Sequence, residues 1–344
     1  MLVELPPISA FSISSVKNCR SMRMLVYEWC CSGGLAGRGP GDDFEGIARE
    51  GRMMLEALAA DAVRDAEIDV TVLVDDALSL SLPADVHIRP VPRGGEVDAL
   101  VAAALTHDWT VIVAPETDGV LASRVATVRA AGGRVLGASD AFIAIAADKQ
   151  ATINALAAAG VPVPAGRSLA PGETAAVGFH MPAVRKDRSS AGCDGVQIIR
   201  DPNVVPAPRA MRLEAFVAGV PVGVSCLCGP DRIDVLPPMR QRFTESDTPR
   251  YVVSDLLDDP RLVRRAEALA RRAVAAIDRA AGGDAAAGWI GVDMILGLRD
   301  DGRDDRVLEV NPRVTTSFVA LAARSDQSLV QTLARSGGGR AGER

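Results

Sequence analysis

From Met24 onward the chain alternates short apolar runs with longer stretches of helical period, and this alternation limits the folds open to it. MLVYEW (24–29) has strand length and leads into the glycine-rich CSGGLAGRGPG. GIAREGRMMLEALAADAVR is helical by period, and IDVTVLVDD reads as a buried strand. VDALVAAALTH (97–107) then reads as a helix and TVIVAPE (110–116) as a strand. LASRVATVRAAGG follows as a helix stopped by glycine, and RVLGAS (134–139) as a strand. Such alternation implies a parallel sheet with helices on both faces, an α/β architecture.

The pattern then changes. SDAFIAIAADKQATINALAAAG (139–160) reads as one helix, with Ser139 capping its start and Gly160 its end. VPVP breaks the chain. From about 165 to 237 strand-like pieces dominate (PAVRK, GVQIIR, RLEAFV, VPVGVSCLC, RIDVLP), as in a smaller β-rich subdomain. A helix at 260–281 follows, its arginines on a solvated face. The expected organisation is a disordered extension at 1–21, an N-terminal α/β domain at 22–137, a composite α+β domain at 138–334 and a disordered tail at 335–344. Within the composite domain, about 165–218 would form a lid.

Composition closes several routes. Of 344 residues, 48% are hydrophobic, enough for a full core, and the net charge of −6 comes with no basic stripe. Nucleic acid is therefore not an expected partner. No apolar run reaches membrane-spanning length, so no membrane partner is expected either. The six cysteines form no C-x-x-C pair and the three histidines are scattered, which argues against zinc. Residues 1–21 lack the charged start and long apolar core of a secretory signal, and the free thiols fit a cytoplasmic protein. A homodimer is one assembly open to the chain.

The chemistry concentrates in GWIGVDMILG (288–297) and DRVLEVNPRVTTSF (305–318). Each reads as an apolar strand carrying an acid. Residues two apart on a strand share a face, so Glu309 and Asn311 project together. Asp293 on a neighbouring strand completes a set of oxygen ligands suited to Mg²⁺, which takes one or two carboxylates and leaves room for phosphates. Arg313 beside a cation suggests bound phosphate. An isolated E-x-N-P-R also fits a plain strand end with a turn. Upstream, Lys149 stands in the 139–160 helix and Lys186 ends PAVRK. A loop of small residues follows Lys186: Ser189, Ser190, Ala191, Gly192, Cys193 and Gly195. Small residues let backbone N–H groups approach phosphate, though a hairpin turn has the same look. In RLEAFVAG (212–219), Glu214, Ala215, Phe216 and Val217 could offer backbone groups, packing and an acid to an adenine; Glu214 could equally be an exposed acid on an edge strand. Glu28, Gly33, Gly34 and Glu116 fall at strand C-termini, where ligands of open α/β sheets bind. Glu116 could instead be a helix N-terminal acid.

In order, these features resemble an ATP-grasp enzyme, from MLVYEW to the end of NPRVTTSFVAL. The resemblance implies an ATP-grasp fold preceded by a parallel-sheet pre-ATP-grasp domain. It implies ATP and Mg²⁺ (or Mn²⁺) as cofactors. Lys149 and Lys186 would hold phosphates under the flexible loop Ser189–Gly195, Glu214–Val217 would form the adenine hinge, and Asp293, Glu309 and Asn311 would bind the metal. Arg313 and Lys186 would take the catalytic roles. YEWCCSGGL, AREGRMMLEAL, VIVAPETDGVL and EVNPRVTTSF further resemble the tyramine–glutamate ligase branch, which serves methanofuran synthesis. Asp187 stands where relatives commonly have proline after the lysine, Ser190 where glycine is usual, and no ribose-binding acid occurs near Val220–Pro221.

Two functions follow. One is an ATP-dependent carboxylate–amine ligase acting through an acyl phosphate on small-molecule substrates; glutamate with an aromatic amine is the pair the resemblance implies. The other is a nucleotide-binding sensor without turnover. A dinucleotide-dependent oxidoreductase is disfavoured, because the glycines at 33, 34, 37 and 39 do not match G-x-G-x-x-G.

Overall fold

The computed structural model describes residues 21–37, 44–174, 179–193, 195–201, 206–230, 232–283 and 285–337. The expected extension therefore falls, but for Ser21, outside the described residues, as does the tail beyond 337.

The N-terminal half runs β1 (Met22–Glu28), α1 (Glu45–Ala62), β2 (Ile68–Asp75), β3 (His87–Val91), α2 (Glu96–Ala104), β4 (Trp109–Val113) and α3 (Val120–Ala130). Its four strands form a parallel sheet in the order β3-β2-β1-β4. The apolar runs of β1 and β4 are buried almost throughout, as strands covered on both faces must be. One expected strand fails: RVLGAS makes a single parallel bridge, Thr110 to Val135. Only Arg134, Val135 and Leu136 stand between Gly133 and Gly137, too short a piece to propagate a ladder. The fourth strand is instead β3, which sequence patterning misses. It holds Pro90 and is mostly exposed, features of an edge strand.

The helix expected over 139–160 is two, α4 (Asp140–Ala146) and α5 (Lys149–Ala158). Ser139 does cap the first, its Oγ accepting from the Phe142 N–H at 3.2 Å. Asp148 then leaves the helical region (φ −106°, ψ 109°) and caps the second, Oδ1 accepting from the N–H groups of Gln150 (2.8 Å) and Ala151 (3.1 Å). A carboxylate at this position competes with the backbone for those donors, so the apolar period continues while the helix does not. Lys149 becomes the first residue of α5.

The remainder is β5 (Gly166–Leu169), β6 (Ala183–Asp187), β7 (Gln197–Ile199), β8 (Met211–Ala215), β9 (Gly219–Gly229), β10 (Arg232–Val235), β11 (Met239–Phe243), β12 (Tyr251–Leu256), α6 (Pro260–Ala280), β13 (Gly288–Gly297), β14 (Arg306–Asn311), α7 (Ser317–Ala322) and α8 (Leu329–Gly337). The β-rich stretch does not form one unit. β5-β8-β6-β7 make a small antiparallel sheet, whereas β9 and β10 belong to a six-stranded sheet ordered β12-β11-β9-β13-β14, with β10 on β9. The reason is β9 itself: eleven residues long and mostly buried, it pairs with β13 over ten positions, from Gly288–Cys228 to Gly297–Gly219. At Gly219 a Cβ would stand 2.2 Å from the Leu296 carbonyl oxygen, so only glycine lets the chain cross between the sheets here. α8 also reaches residues 335–337, which sequence reading assigns to the tail.

α6 begins on Pro260 with Asp259 as its cap. It buries Ala266, Leu269, Ala270, Ala273, Val274 and Ile277 and packs on β9 and β13. Cys226 and Cys228 are buried free thiols, as their shared strand face suggests. No helix among the described residues is long and apolar enough to cross a membrane.

Candidate active site

The three sheets meet around a cavity of about 1310 Å³. Its floor is the β13–β14 pair. Asp293 lies directly across from Glu309 in that ladder, with a register shift just after Asp293. Asn311, two residues beyond Glu309, donates Nδ2 to Asp293 Oδ2 at 2.8 Å. Gln241 on β11 donates Nε2 to Asp293 Oδ1, also at 2.8 Å. The expected trio is thus brought together. Burial, and then the charge of Glu309, push the Asp293 carboxyl up to about 7 despite these donors. Burial raises Glu309 too, but the ammoniums of Lys149 and Lys186 outweigh it and hold that carboxyl below its ordinary value. Among the described residues no group of three or more Asp, Glu, His or Cys could hold a metal. Two carboxylates and an amide are the relevant set.

Both lysines reach this floor. Lys149 Nζ lies 3.3 Å from Glu309 Oε2 and donates to the Ser190 carbonyl. Lys186 Nζ lies 2.8 Å from Glu214 Oε1 and donates to the Leu308 carbonyl at 3.1 Å. Glu214 is not an exposed edge acid. β8 lies between β5 and β6, and the carboxylate is buried between Lys186 and Arg212, whose Nε donates to Oε2 at 2.9 Å. Arg212 is buried as well, donating to Gln150 Oε1 (2.8 Å) and the Pro164 carbonyl (3.1 Å). Beyond Glu214, residues Ala215, Phe216 and Val217 line the cavity, and Phe216 stands 44% exposed.

The small-residue loop divides. Ala191, Gly192, Cys193 and Gly195 line the cavity; Ser189 and Ser190 do not. The Ser189 N–H donates to Asp187 Oδ1 at 3.1 Å, and the Ala191 N–H to Thr117 Oγ1 at 3.3 Å. Ser190 and Ala191 are buried, so this part of the loop is docked and not a bare turn. Gly192 (φ +60°) and Gly195 (φ +70°) occupy the left-handed region that glycine alone enters readily. Asp187 has a local use: it pairs with Arg209 and shapes the turn.

Arg313 meets an acid from the other half of the chain. Its Nε and Nη2 donate to the two oxygens of Glu116 at 2.8 and 3.0 Å, a buried two-pronged pair. Burial works against the Arg313 charge, but the Glu116 carboxylate outweighs it and raises the guanidinium's pKa. Glu116 therefore does not face the cavity, although it does precede a short 3₁₀ turn, Thr117–Gly119. Gly33 and Gly34 are not site residues either. A Cβ at Gly33 would meet Asp75, and one at Gly34 would strike the Trp29 indole at 2.0 Å, so both serve packing. Glu28 does line the cavity; Oε2 accepts from the Cys31 N–H at 2.8 Å, and burial raises its pKa. Sequence reasoning missed Gln241, Arg212 and Glu50. Gln241 sits in a charged stretch, MRQRF, with no strand-like alternation, and the other two are acids and bases among many.

The model of the ATP-grasp domain matches residues 146–317, half of the chain, and that of the pre ATP-grasp 3 domain matches 68–143. Among solved structures, a protein of Archaeoglobus fulgidus assigned to the ATP-grasp superfamily superposes with a TM-score of 0.69 at 21% identity, covering 92% of this chain and 89% of that one. Biotin carboxylase of Campylobacter jejuni gives 0.67 at 16% identity (92% and 71% covered), and D-alanine–D-alanine ligase of Bacillus anthracis 0.61 at 18% (92% and 97%). At such identities these likenesses carry the fold alone. No curated protein sequence matches the chain. With the cavity built on β13–β14 and both domain models matched in order along it, the chain belongs to the ATP-grasp family and carries a pre-ATP-grasp domain ahead of its ATP-grasp domain.

Proposed function

We propose that the protein is an ATP-dependent carboxylate–amine ligase that forms an amide through an acyl phosphate. One observation carries this reading: the half-buried carboxylates of Asp293 and Glu309, the Lys186 ammonium and the Arg313 guanidinium line one cavity, and Lys149 joins them through Glu309. The residues fit a divalent cation. Asp293 and Glu309 are like charges side by side, and desolvation, then the charge of Glu309, drive Asp293 toward its neutral form. Asp293, Glu309 and the Asn311 amide oxygen would hold Mg²⁺, which when bound would neutralise phosphate charge and leave positions for phosphate oxygens.

The chain's own groups do the rest. Each lysine rests on a glutamate, Lys149 on Glu309 and Lys186 on Glu214. Phosphates entering the cavity would share those ammoniums as point-charge partners. Backbone N–H groups of Gly192 and Gly195 would approach the same oxygens. Arg313, held at a fixed angle by Glu116, would meet charge developing on the transferred group without reorganising. Ala215, Phe216 and Val217 would flank the base. Holding carboxylate and phosphoryl group together would add the gain of a pre-oriented, effectively unimolecular step. The resemblance to the tyramine–glutamate branch makes glutamate and an aromatic amine the first substrates to try, and D-alanine–D-alanine ligase joins substrates of the same general kind.

The test is chemical trapping. Protein, Mg-ATP and a panel of carboxylates including glutamate are incubated with hydroxylamine. One carboxylate should yield a hydroxamate with stoichiometric ADP, and Glu309→Gln should lose both. Absence of hydroxamate across the panel would refute the ligase reading.

A further inference from the structure

One acid of the cavity wall stands without a partner. Glu50 lies on α1 and lines the cavity. Among the described residues its carboxylate makes no hydrogen bond or ion pair, and its neighbour Arg49 does not pair with it. The other acids nearby are engaged: Glu28 by the Cys31 N–H, Glu116 by Arg313, Glu309 by Lys149, Glu214 by Lys186 and Arg212. Glu50 thus differs from them in having no bonded partner; Arg49 and Arg313 act on it only through their charge. Glu50 faces the small-residue loop, with Oε2 3.9 Å from where a Cβ on Gly192 would stand. Burial raises its pKa while Arg313 and Arg49 lower it, so it shares the electrostatic environment of the reacting end.

Its position is set by a rigid element. Gly51, next to it, is pressed onto the wall, because a Cβ there would stand 2.3 Å from Glu28 Oε1. Met54, Leu55 and Leu58 are buried along the same helix. A carboxylate without a hydrogen-bond or ion-pair partner, fixed on a packed helix and lining the cavity, suits a cationic ligand.

We infer that Glu50 is the specificity residue that receives the ammonium group of the amine substrate, between α1 and the Gly192 side of the loop. A primary ammonium brings one positive charge and three donors. The inference rests on the ligase reading, and its test is built to fail separately.

Full-length protein is titrated calorimetrically with tyramine, phenethylamine and short alkyl diamines, each beside the analogue in which hydroxyl replaces ammonium. The parent should bind at least one amine tenfold or more tighter than its alcohol. Glu50→Gln should erase that preference, and Glu50→Asp should keep part of it. Because Glu50 makes no internal bond, Glu50→Gln should keep the parent's melting temperature and circular dichroism. No preference in the parent, or an undiminished preference in Glu50→Gln, would overturn the assignment. Hydroxamate formation by the parent without an amine preference would sink the Glu50 role alone; an amine preference without hydroxamate would sink the ligase reading alone.

Discussion

The parallel sheet and the small antiparallel sheet both border the cavity, yet they are attached to the large sheet by different forces. Leu25, Tyr27 and Ile112 of the parallel sheet share one apolar cluster with Val222, Ile290 and Val292 of the large sheet. On the other face Met24 and Val26 share a second with Leu227 and Trp289. The small sheet has only Leu169, Ala183, Ile199, Ala207, Met211 and Leu213 as its own buried cluster. Polar ties hold it to the rest: Lys186 to the Leu308 carbonyl, Arg212 to Gln150, and Arg188 to Asp148. Shared apolar area cannot be traded for anything a ligand offers. The Lys186 tie can, because phosphate entering the cavity competes for its ammonium. The part expected to move is thus the part joined by groups that also bind.

The sharpest way to break this contrast is in the shared core. Trp289 is buried against Phe318, ring centroids 5.2 Å apart. Trp289→Ala should cost about 3–5 kcal/mol, and the parallel and large sheets should unfold together in one denaturant transition. Two separate transitions would show that the sheets are not one cooperative unit. Leu213→Ala, in the isolated cluster, should cost about 2–4 kcal/mol but locally. Proteolysis within 166–215 should accelerate while the main transition keeps its midpoint. A matching fall in that midpoint would mean the small sheet is not separately held.

Arg212→Met tests a polar tie. It leaves one oxygen of buried Glu214 without its donor, at about 1–3 kcal/mol, and hydrogen exchange should rise in β8 and β6. Nucleotide should restore part of the protection; equal exchange with and without nucleotide would remove the argument for exchangeable ties.

The smallest effect concerns Asp293. Its carboxyl is raised to about 7 in the fold, against roughly 3.9 in an unfolded chain. The folded state therefore holds a proton that the unfolded state has lost between those values. The stability linked to that proton is full below about pH 4 and is lost as pH rises through about 7. Metal-free protein should melt a few degrees lower at about pH 8 than at about pH 5.5. Mg²⁺ should restore more at the higher pH, because binding must release the proton. Asp293→Asn should flatten both trends; unchanged trends would place the titration elsewhere.

Much of this was legible in the chain. Period-two spacing put Glu309 and Asn311 on one face, and the β13–β14 register brought Asp293 opposite. What escaped were features set by long-range partners. Asp148 breaks a helix whose apolar period runs on, because its carboxylate takes two backbone donors and Arg188 besides. RVLGAS has strand composition but too few residues between glycines. Gln241 joins the site only because β11 pairs with β9, a pairing that MRQRF does not advertise. Glu50 resembles every other acid on an amphipathic helix until its neighbours are known.

The Glu116–Arg313 bridge has a consequence for inheritance. An arginine of one module is completed by an acid of the other, so the modules are not freely interchangeable. A chimaera whose first 130 or so residues came from another family member would strand the guanidinium unless the donor brought an acid to the same spot. Positions 116 and 313 should accordingly vary as a couple, and a hybrid that fails for want of that acid should be repaired by restoring it alone.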